Sequence, residues 1–68
     1  MMIYTLREAR KKRQLTQAGL FVLSGISQVA ISKLETGATK EPKMSTVRKL
    51  AKALRLTPAQ LQFDGSTE

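Results

Sequence analysis

Residues 24–37, SGISQVAISKLETG, place polar side chains at helical spacing between two glycines. The side chains of Gln28, Ser32 and Lys33 offer an amide, a hydroxyl and an ammonium group, and Val29 adds a small apolar surface. An amide pairs bidentately with adenine N6 and N7, an ammonium reaches guanine O6 and N7, and valine contacts the thymine methyl group. Taken singly, each residue is more often part of an ordinary solvated surface, so the surrounding elements decide between the two interpretations.

Capping signals predict two short helices around this segment. Thr16 is a suitable N-cap for a helix over about 17–24, because its hydroxyl accepts from a free backbone N–H, and Gly25 is a typical C-terminal stop. Ser27 caps the next helix, over about 28–36. A tight turn between two short helices is the helix-turn-helix arrangement.

The spacing of apolar residues predicts which side of the second of these helices faces the core. Ile31 and Leu34 lie three residues apart, and Ile26 lies in the turn before them, so we expect all three to anchor the helix to the core. The residues left facing outward are Ser27 at the tip and then Gln28, Val29, Ser32 and Lys33.

Apolar periodicity and proline mark the remaining elements. A first helix follows from the spacing of Leu6 and Ala9, and a capping box over residues 57–60 with Pro58 predicts a short last helix. The clearest amphipathic pattern comprises Met44, Val47, Leu50, Ala51 and Leu54. We predict an all-α fold of five helices and no strand, as a single domain over residues 1–68. The predicted helices span about 3–13, 17–24, 28–36, 44–54 and 58–62, with 63–68 as a tail.

Composition limits the classes of function. The 68 residues include 12 Lys and Arg against 5 Asp and Glu, for a formal charge of +7, which favours a polyanionic partner, with nucleic acid ahead of a membrane surface. The absence of cysteine and histidine excludes thiolate and imidazole metal sites and disulfides, and no cofactor is expected. No apolar stretch approaches the ~20 residues of a membrane span, and the N-terminus lacks the order of a secretory signal. We expect a cytoplasmic protein without membrane contact.

Residues 15–62 resemble the lambda-repressor-like helix-turn-helix family, which includes phage repressors, Cro proteins and many small bacterial regulators. The matching stretches are LTQ at 15–17, GIS at 25–27, IS.LE.G at 31–37, VRKLAKAL at 47–54 and LTPAQL at 56–61. The resemblance implies a five-helix DNA-binding domain whose third helix reads the major groove.

The resemblance also implies individual roles. Gln17 matches a glutamine that contacts a DNA phosphate, and Lys40 and Lys43 match basic residues placed against the DNA backbone or minor groove, with Thr39 as a weaker candidate. The positions that match base-reading or groove-lining residues are Ser27, Gln28, Val29 and Lys33.

Arg10 and Glu35 match a pair that forms a salt bridge between the first and third helices in some relatives. Two alternatives remain open for this pair. If both side chains are exposed, the pair contributes at most about 1 kcal/mol. If both are buried, loss of one partner costs roughly 3–5 kcal/mol.

The second helix departs from the family pattern. Phe21 stands where the family usually has alanine, so a close crossing with the third helix would be overpacked unless Ala30 makes room or the second helix shifts. Val22 and Leu23 stand where charged residues are usual. These two are either tolerated exposed side chains or a contact for another protein.

The leading hypothesis is a sequence-specific, double-stranded DNA-binding transcriptional regulator of the repressor or Cro type. It would bind a palindromic operator as a homodimer, at least on DNA. The alternative is a helix-turn-helix antitoxin or controller whose main partner is another protein. RNA recognition is less favoured because the chain has few aromatic residues for base stacking, and no catalytic constellation points to an enzyme.

Overall fold

The computed structural model describes residues 2–63 as four α-helices, one short 3₁₀-helix and two short strands. The helices are α1 (Leu6–Lys12), α2 (Gln17–Ser24), α3 (Gln28–Thr36) and α4 (Met44–Leu54), and the 3₁₀-helix spans Pro58–Gln60. The strands are β1 (Tyr4–Thr5) and β2 (Leu61–Gln62). Among the described residues, none of the helices has the length and apolar character needed to cross a bilayer.

A capping box sets the start of α1. The Thr5 hydroxyl accepts from the backbone N–H of Glu8 at 3.1 Å, and the Glu8 carboxylate accepts from the backbone N–H of Thr5 at 3.0 Å. The helix therefore begins at Leu6 and ends at Lys12, and the predicted range of about 3–13 is too long at both ends. Its expected first turn is instead extended backbone that pairs with β2.

Side-chain caps also set the two helices that follow. The hydroxyl of Thr16 accepts from the backbone N–H of Gly19 at 2.9 Å, and that of Ser27 accepts from the N–H of Ala30 at 3.1 Å. Gly25 ends α2 in the left-handed conformation, with φ of 76°. The ranges of α2, α3 and α4 coincide with those that the sequence predicts.

The chain's two described ends meet in a parallel pair of strands. Tyr4 lies opposite Leu61 and Thr5 opposite Gln62, so residues 58–60 form one 3₁₀ turn before the backbone becomes extended. The prediction of a fifth α-helix over 58–62 and of no strand is therefore wrong. Of the predicted tail, Phe63 packs half-buried against the core, and residues 64–68 lie outside the described part of the chain.

One hydrophobic core joins all four α-helices and β2. Its largest fully buried side chains are those of Leu6, Leu20, Ile31 and Leu50. The other buried members are Ala9, Leu34, Val47, Ala51, Leu54 and Leu61. Met44 does not join them: at the first residue of α4 its side chain is 55% exposed, although the periodicity placed it on the apolar side.

Phe21 does not overpack the crossing of α2 and α3. Its neighbour Leu20 is fully buried, whereas Phe21 remains 45% exposed. Successive helical residues point about 100° apart, so burying Leu20 turns Phe21 toward the edge of the helix. The aromatic ring is thus accommodated by partial exposure at the surface.

Candidate nucleic-acid interface

A polar junction fixes α3 against α1 and α2. The guanidinium of Arg10 donates to both carboxylate oxygens of Glu35, from Nε at 2.6 Å and from Nη2 at 3.0 Å. Its Nη1 donates to the Leu15 carbonyl at 2.7 Å. The side chains of Arg10 and Glu35 are 11% and 4% exposed. Of the two alternatives left open by the sequence, an exposed or a buried pair, the structure therefore shows the buried one.

The electrostatics of this junction keep Arg10 charged. The hydrogen bonds to Glu35 raise the pKa of Arg10 above its ordinary value, and the charge of Glu35 adds to the effect, while burial partly opposes it. All three guanidinium nitrogens of Arg10 have hydrogen-bond partners, since two of them donate to Glu35 and the third donates to the Leu15 carbonyl. A bidentate, nearly dry ion pair of this kind holds two helices at a defined distance and angle.

Gln17 completes the junction from the first residue of α2. Its Nε2 donates to Oε1 of Glu35 at 3.2 Å, and the residue is half-buried. The sequence resemblance gave Gln17 a role toward phosphate. An amide NH₂ carries two donor hydrogens, so one remains for an outside acceptor while the other binds Glu35.

The outward edge of α3 is exposed while its inner edge is anchored. Ile31 is fully buried and Leu34 is 6% exposed, as the spacing predicted, whereas Val29 is 66% exposed. Gln28 and Lys33 are also exposed, and Ser32 is half-buried. The Ser27 hydroxyl accepts from Ala30, which leaves its own hydrogen available to an acceptor outside the protein.

The loop between α3 and α4 is tied to this edge. The backbone N–H of Thr39 donates to the carbonyl of Lys33 at 3.1 Å. The loop and α3 together border an open groove, to which α3 contributes Ser27, Val29 and Lys33 among its lining residues. The loop contributes Thr39, Glu41, Pro42 and Lys43, and Thr46 of α4 closes the far side.

The groove unites only some of the sequence-predicted site residues. Gln28 and Lys40 are exposed outside its lining, Ser32 lies half-buried beside it, and Gln17 belongs to the Glu35 junction. The sequence interpretation missed Glu41, an exposed carboxylate between two lysines on a surface expected to meet a polyanion. The signal was the alternation of charge in the loop ATKEPK, of which only the cations were considered.

Val22 and Leu23 lie on α2, away from the lining of this groove. Their side chains are 76% and 56% exposed. With Phe21 they form a run of apolar surface that we call the α2 apolar face. Leu23 also borders a second groove, between α2 and α4.

Comparisons with known proteins agree with this geometry. A profile of the helix-turn-helix family matches residues 6–61. The chain is 49% identical over 51 residues to RghRB of Bacillus subtilis (strain 168), named an uncharacterized HTH-type transcriptional regulator, covering 75% of this chain and 37% of the relative. It is 43% identical over 58 residues to the HTH-type transcriptional repressor RghR of the same organism, covering 85% of this chain and 43% of that protein.

The chain thus spans less than half the length of these relatives. No solved structure is significantly similar to it. The profile match over most of the chain, together with the anchored α3 and its short turn from α2, identifies the family. The chain belongs to the lambda-repressor-like helix-turn-helix family.

Proposed function

We propose that this domain binds double-stranded DNA sequence-specifically and regulates transcription, as a repressor of the phage repressor or Cro type. The observation that carries the proposal is the contrast across α3, which is anchored by buried Ile31 and Leu34 and presents Val29 at 66% exposure on its other edge. A helix anchored on one side, with amide, hydroxyl and ammonium groups on the other, suits the major groove. The cytoplasmic location predicted from the sequence belongs to the same proposal.

We assign base recognition to the first two turns of α3. In this proposal Gln28 pairs with adenine, Val29 contacts a thymine methyl group and Lys33 binds guanine. Ser27 and Ser32 add hydroxyl groups at the edge of the same surface. The names of the relatives, a transcriptional regulator and a transcriptional repressor, support this assignment.

Phosphate binding falls to the flanks of α3. Lys40 and Lys43 are exposed in the loop on one side, with Thr39 between them and α3, and Gln17 lies at the start of α2. Glu41 sits between the two lysines and reduces their combined attraction for phosphate. Each phosphate neutralised should contribute about −0.9 to the slope of log K against log salt.

Operator geometry follows from symmetry. A homodimer on DNA would read two half-sites about 34 Å apart, one helical turn, and the operator would be palindromic. A single small domain presents few base contacts, so pairing two domains is the usual way to gain specificity in this type of recognition.

Selection of bound sequences from random double-stranded DNA at about 150 mM salt tests the proposal, because purely electrostatic binding is weak there. We expect an enriched palindrome. Gln28→Ala should relax preference at one base pair by about 1–3 kcal/mol, whereas Lys40→Ala should weaken binding equally on all duplexes. Absence of any enriched sequence, or full operator preference in Gln28→Ala, would contradict the assignment of α3.

A second candidate function is that of an antitoxin or controller whose main partner is a protein. The exposure of Val22 and Leu23 favours it, because monomeric proteins seldom present contiguous apolar side chains without a partner. Co-purification with a chromosomally neighbouring product, lost in Leu23→Ser but retained in Gln28→Ala, distinguishes this role from DNA binding alone.

A further inference from the structure

A second groove, between the end of α2 and the outer side of α4, carries a concentrated positive charge. Arg13, Lys49, Lys52 and Arg55 all border it. Lys49 and Lys52 are exposed and lie three residues apart on α4, so they project from the same side of the helix. This groove shares none of its lining residues with the groove beside α3.

These cations are not neutralised within residues 2–63. The three carboxylates of that part of the chain lie elsewhere: Glu8 caps α1, Glu35 binds Arg10, and Glu41 borders the α3 groove. None of the described carboxylates borders the α2–α4 groove. Four like charges around one opening repel each other, and a bound polyanion relieves that repulsion.

The backbone at Arg55 adds an independent observation. Arg55 ends α4 in the left-handed conformation, with φ of 59°, at the position where glycine most often ends a helix. A side chain with Cβ adopts this conformation at a cost that glycine avoids. Arg55 therefore supplies a cation to the groove from a position at which glycine would be less strained.

The walls of the groove are apolar as well as basic. Leu23 borders it at 56% exposure, and half-buried Ala53 also lines it. If a DNA phosphate backbone occupied the groove, it would leave these apolar side chains exposed to water or bury them against polar groups, and neither arrangement is favourable. A peptide that combines carboxylates with apolar side chains satisfies both parts of the surface.

We propose that the α2–α4 groove docks a short acidic segment of a partner protein, with carboxylates on Lys49, Lys52 and Arg55 and an apolar side chain on Leu23. The domain would then have two separate binding surfaces, with DNA on α3 and a protein segment on α4. The inference does not depend on DNA binding at α3, but it shares Leu23 with the second candidate function and specifies the chemistry of that protein partner.

The test measures fluorescence anisotropy of a labelled synthetic peptide containing glutamates and leucines at helical spacing, with no DNA present, at about 150 mM salt. The paired variant Lys49→Gln/Lys52→Gln should bind the peptide about tenfold more weakly, because two exposed ion pairs are lost. Leu23→Ser should weaken binding of this peptide but not of a matched peptide with serine in place of leucine.

The control is Lys11→Gln/Arg48→Gln, which removes the same charge from two exposed residues outside the groove. It should retain the wild-type affinity for the peptide, and circular dichroism should show that both paired variants are folded. Equal weakening in the control would mean that net charge alone attracts the peptide and would overturn the proposal. Equal affinity for the serine and leucine peptides would also overturn it.

Two further outcomes identify a different occupant. If Lys49→Gln/Lys52→Gln loses as much affinity for duplex DNA as Lys43→Gln does, the groove binds phosphate as an extension of the DNA surface. If Leu23→Ser changes the sedimentation coefficient of the protein alone, the α2 apolar face binds a second copy. Either result overturns the peptide proposal. Because the peptide assay contains no DNA, failure of the DNA-binding proposal leaves its outcome unaffected.

Discussion

The two ends of α2 differ in how they are held. At the first turn, Thr16 caps the helix and Gln17 donates to Glu35, which is in turn bound by Arg10 of α1. At the last turn, Val22 and Leu23 are mostly exposed to solvent, and the helix stops at a glycine. Side-chain hydrogen bonds hold the first turn, which we call the tied end. After the last turn, which we call the free end, the backbone changes direction at Gly25.

This difference assigns separate tasks to the two ends. The first turn shares Glu35 with α3, so it determines where the outward edge of α3 lies relative to α1 and α2. In the last turn, the side chains of Val22 and Leu23 are mostly exposed, so they contribute little to how α3 is held. Mutations at the first end should therefore alter stability, whereas those at the second should alter binding to a protein.

Of the substitutions that probe the contacts of the two ends of α2, Glu35→Ala should have the largest effect. This variant leaves the guanidinium of Arg10 largely buried without its carboxylate, which should lower the free energy of unfolding by about 3 kcal/mol. Urea denaturation followed by circular dichroism measures the loss as a lower midpoint. A loss below about 1 kcal/mol would show that the pair behaves as a solvated one.

The double variant Arg10→Met/Glu35→Leu is the matched control for that measurement. It removes both charges and replaces them with apolar side chains of similar length, so most of the lost stability should return. Recovery would show that the single variant suffers from an unpaired charge. If the double variant is as unstable as Glu35→Ala, the hydrogen bonds to Leu15 and Gln17 carry the stability instead.

An intermediate effect is expected from Gly25→Ala at the free end. The φ of Gly25 is +76°, and a Cβ there would meet no atom within 4 Å, so only the backbone conformation opposes alanine. The free energy of unfolding should fall by about 1 kcal/mol, which thermal melts would record as a melting temperature lowered by about 5 °C.

Gly19→Ala is the corresponding substitution near the tied end. Alanine favours the helix by up to about 1 kcal/mol, but its Cβ would lie 3.3 Å from the Thr16 hydroxyl oxygen. That oxygen accepts from the Gly19 N–H, so it has little freedom to move, and the net change should be close to zero. A stabilisation of the full 1 kcal/mol would show that this end is less constrained than its hydrogen bonds indicate.

A similarly small effect on stability is expected from Val22→Lys. The Val22 side chain is 76% exposed, so the free energy of unfolding should change by no more than about 0.5 kcal/mol. Thermal melts measure this change in stability. Leu20→Ala is the comparison variant, because Leu20 is fully buried in the same helix and its truncation should cost roughly 2–5 kcal/mol. A large loss from Val22→Lys would contradict the exposed position of this residue.

Local signals in the sequence account for the helix-turn-helix unit. Thr16, Gly25 and Ser27 each act within one turn of the chain, so their caps and stops can be read without knowledge of the fold. The buried positions Ile31 and Leu34 followed from spacing alone. The capping box of Thr5 and Glu8 is equally local, and it sets a helix start at Leu6 that the predicted range of about 3–13 misses.

Other features depend on contacts between distant residues. Strands of two residues are too short to show an alternating pattern, so β1 and β2 are defined only by each other. The exposure of Phe21 depends on how α2 is rotated when Leu20 enters the core, and an apolar helix surface gives no period from which to read it. The groove that joins Arg13 to Lys49 and Arg55 likewise requires the packed helices.

The pairing of β1 with β2 has a consequence for the order of folding. The helices form from contacts between near neighbours, whereas Tyr4 and Leu61 meet only when almost the whole chain has closed into a ring. Such a closure is entropically costly and gains little until the core exists, so the strand pair should form last and open first. Backbone amides of β1 and β2 should exchange with solvent together, because within residues 2–63 each strand pairs only with the other.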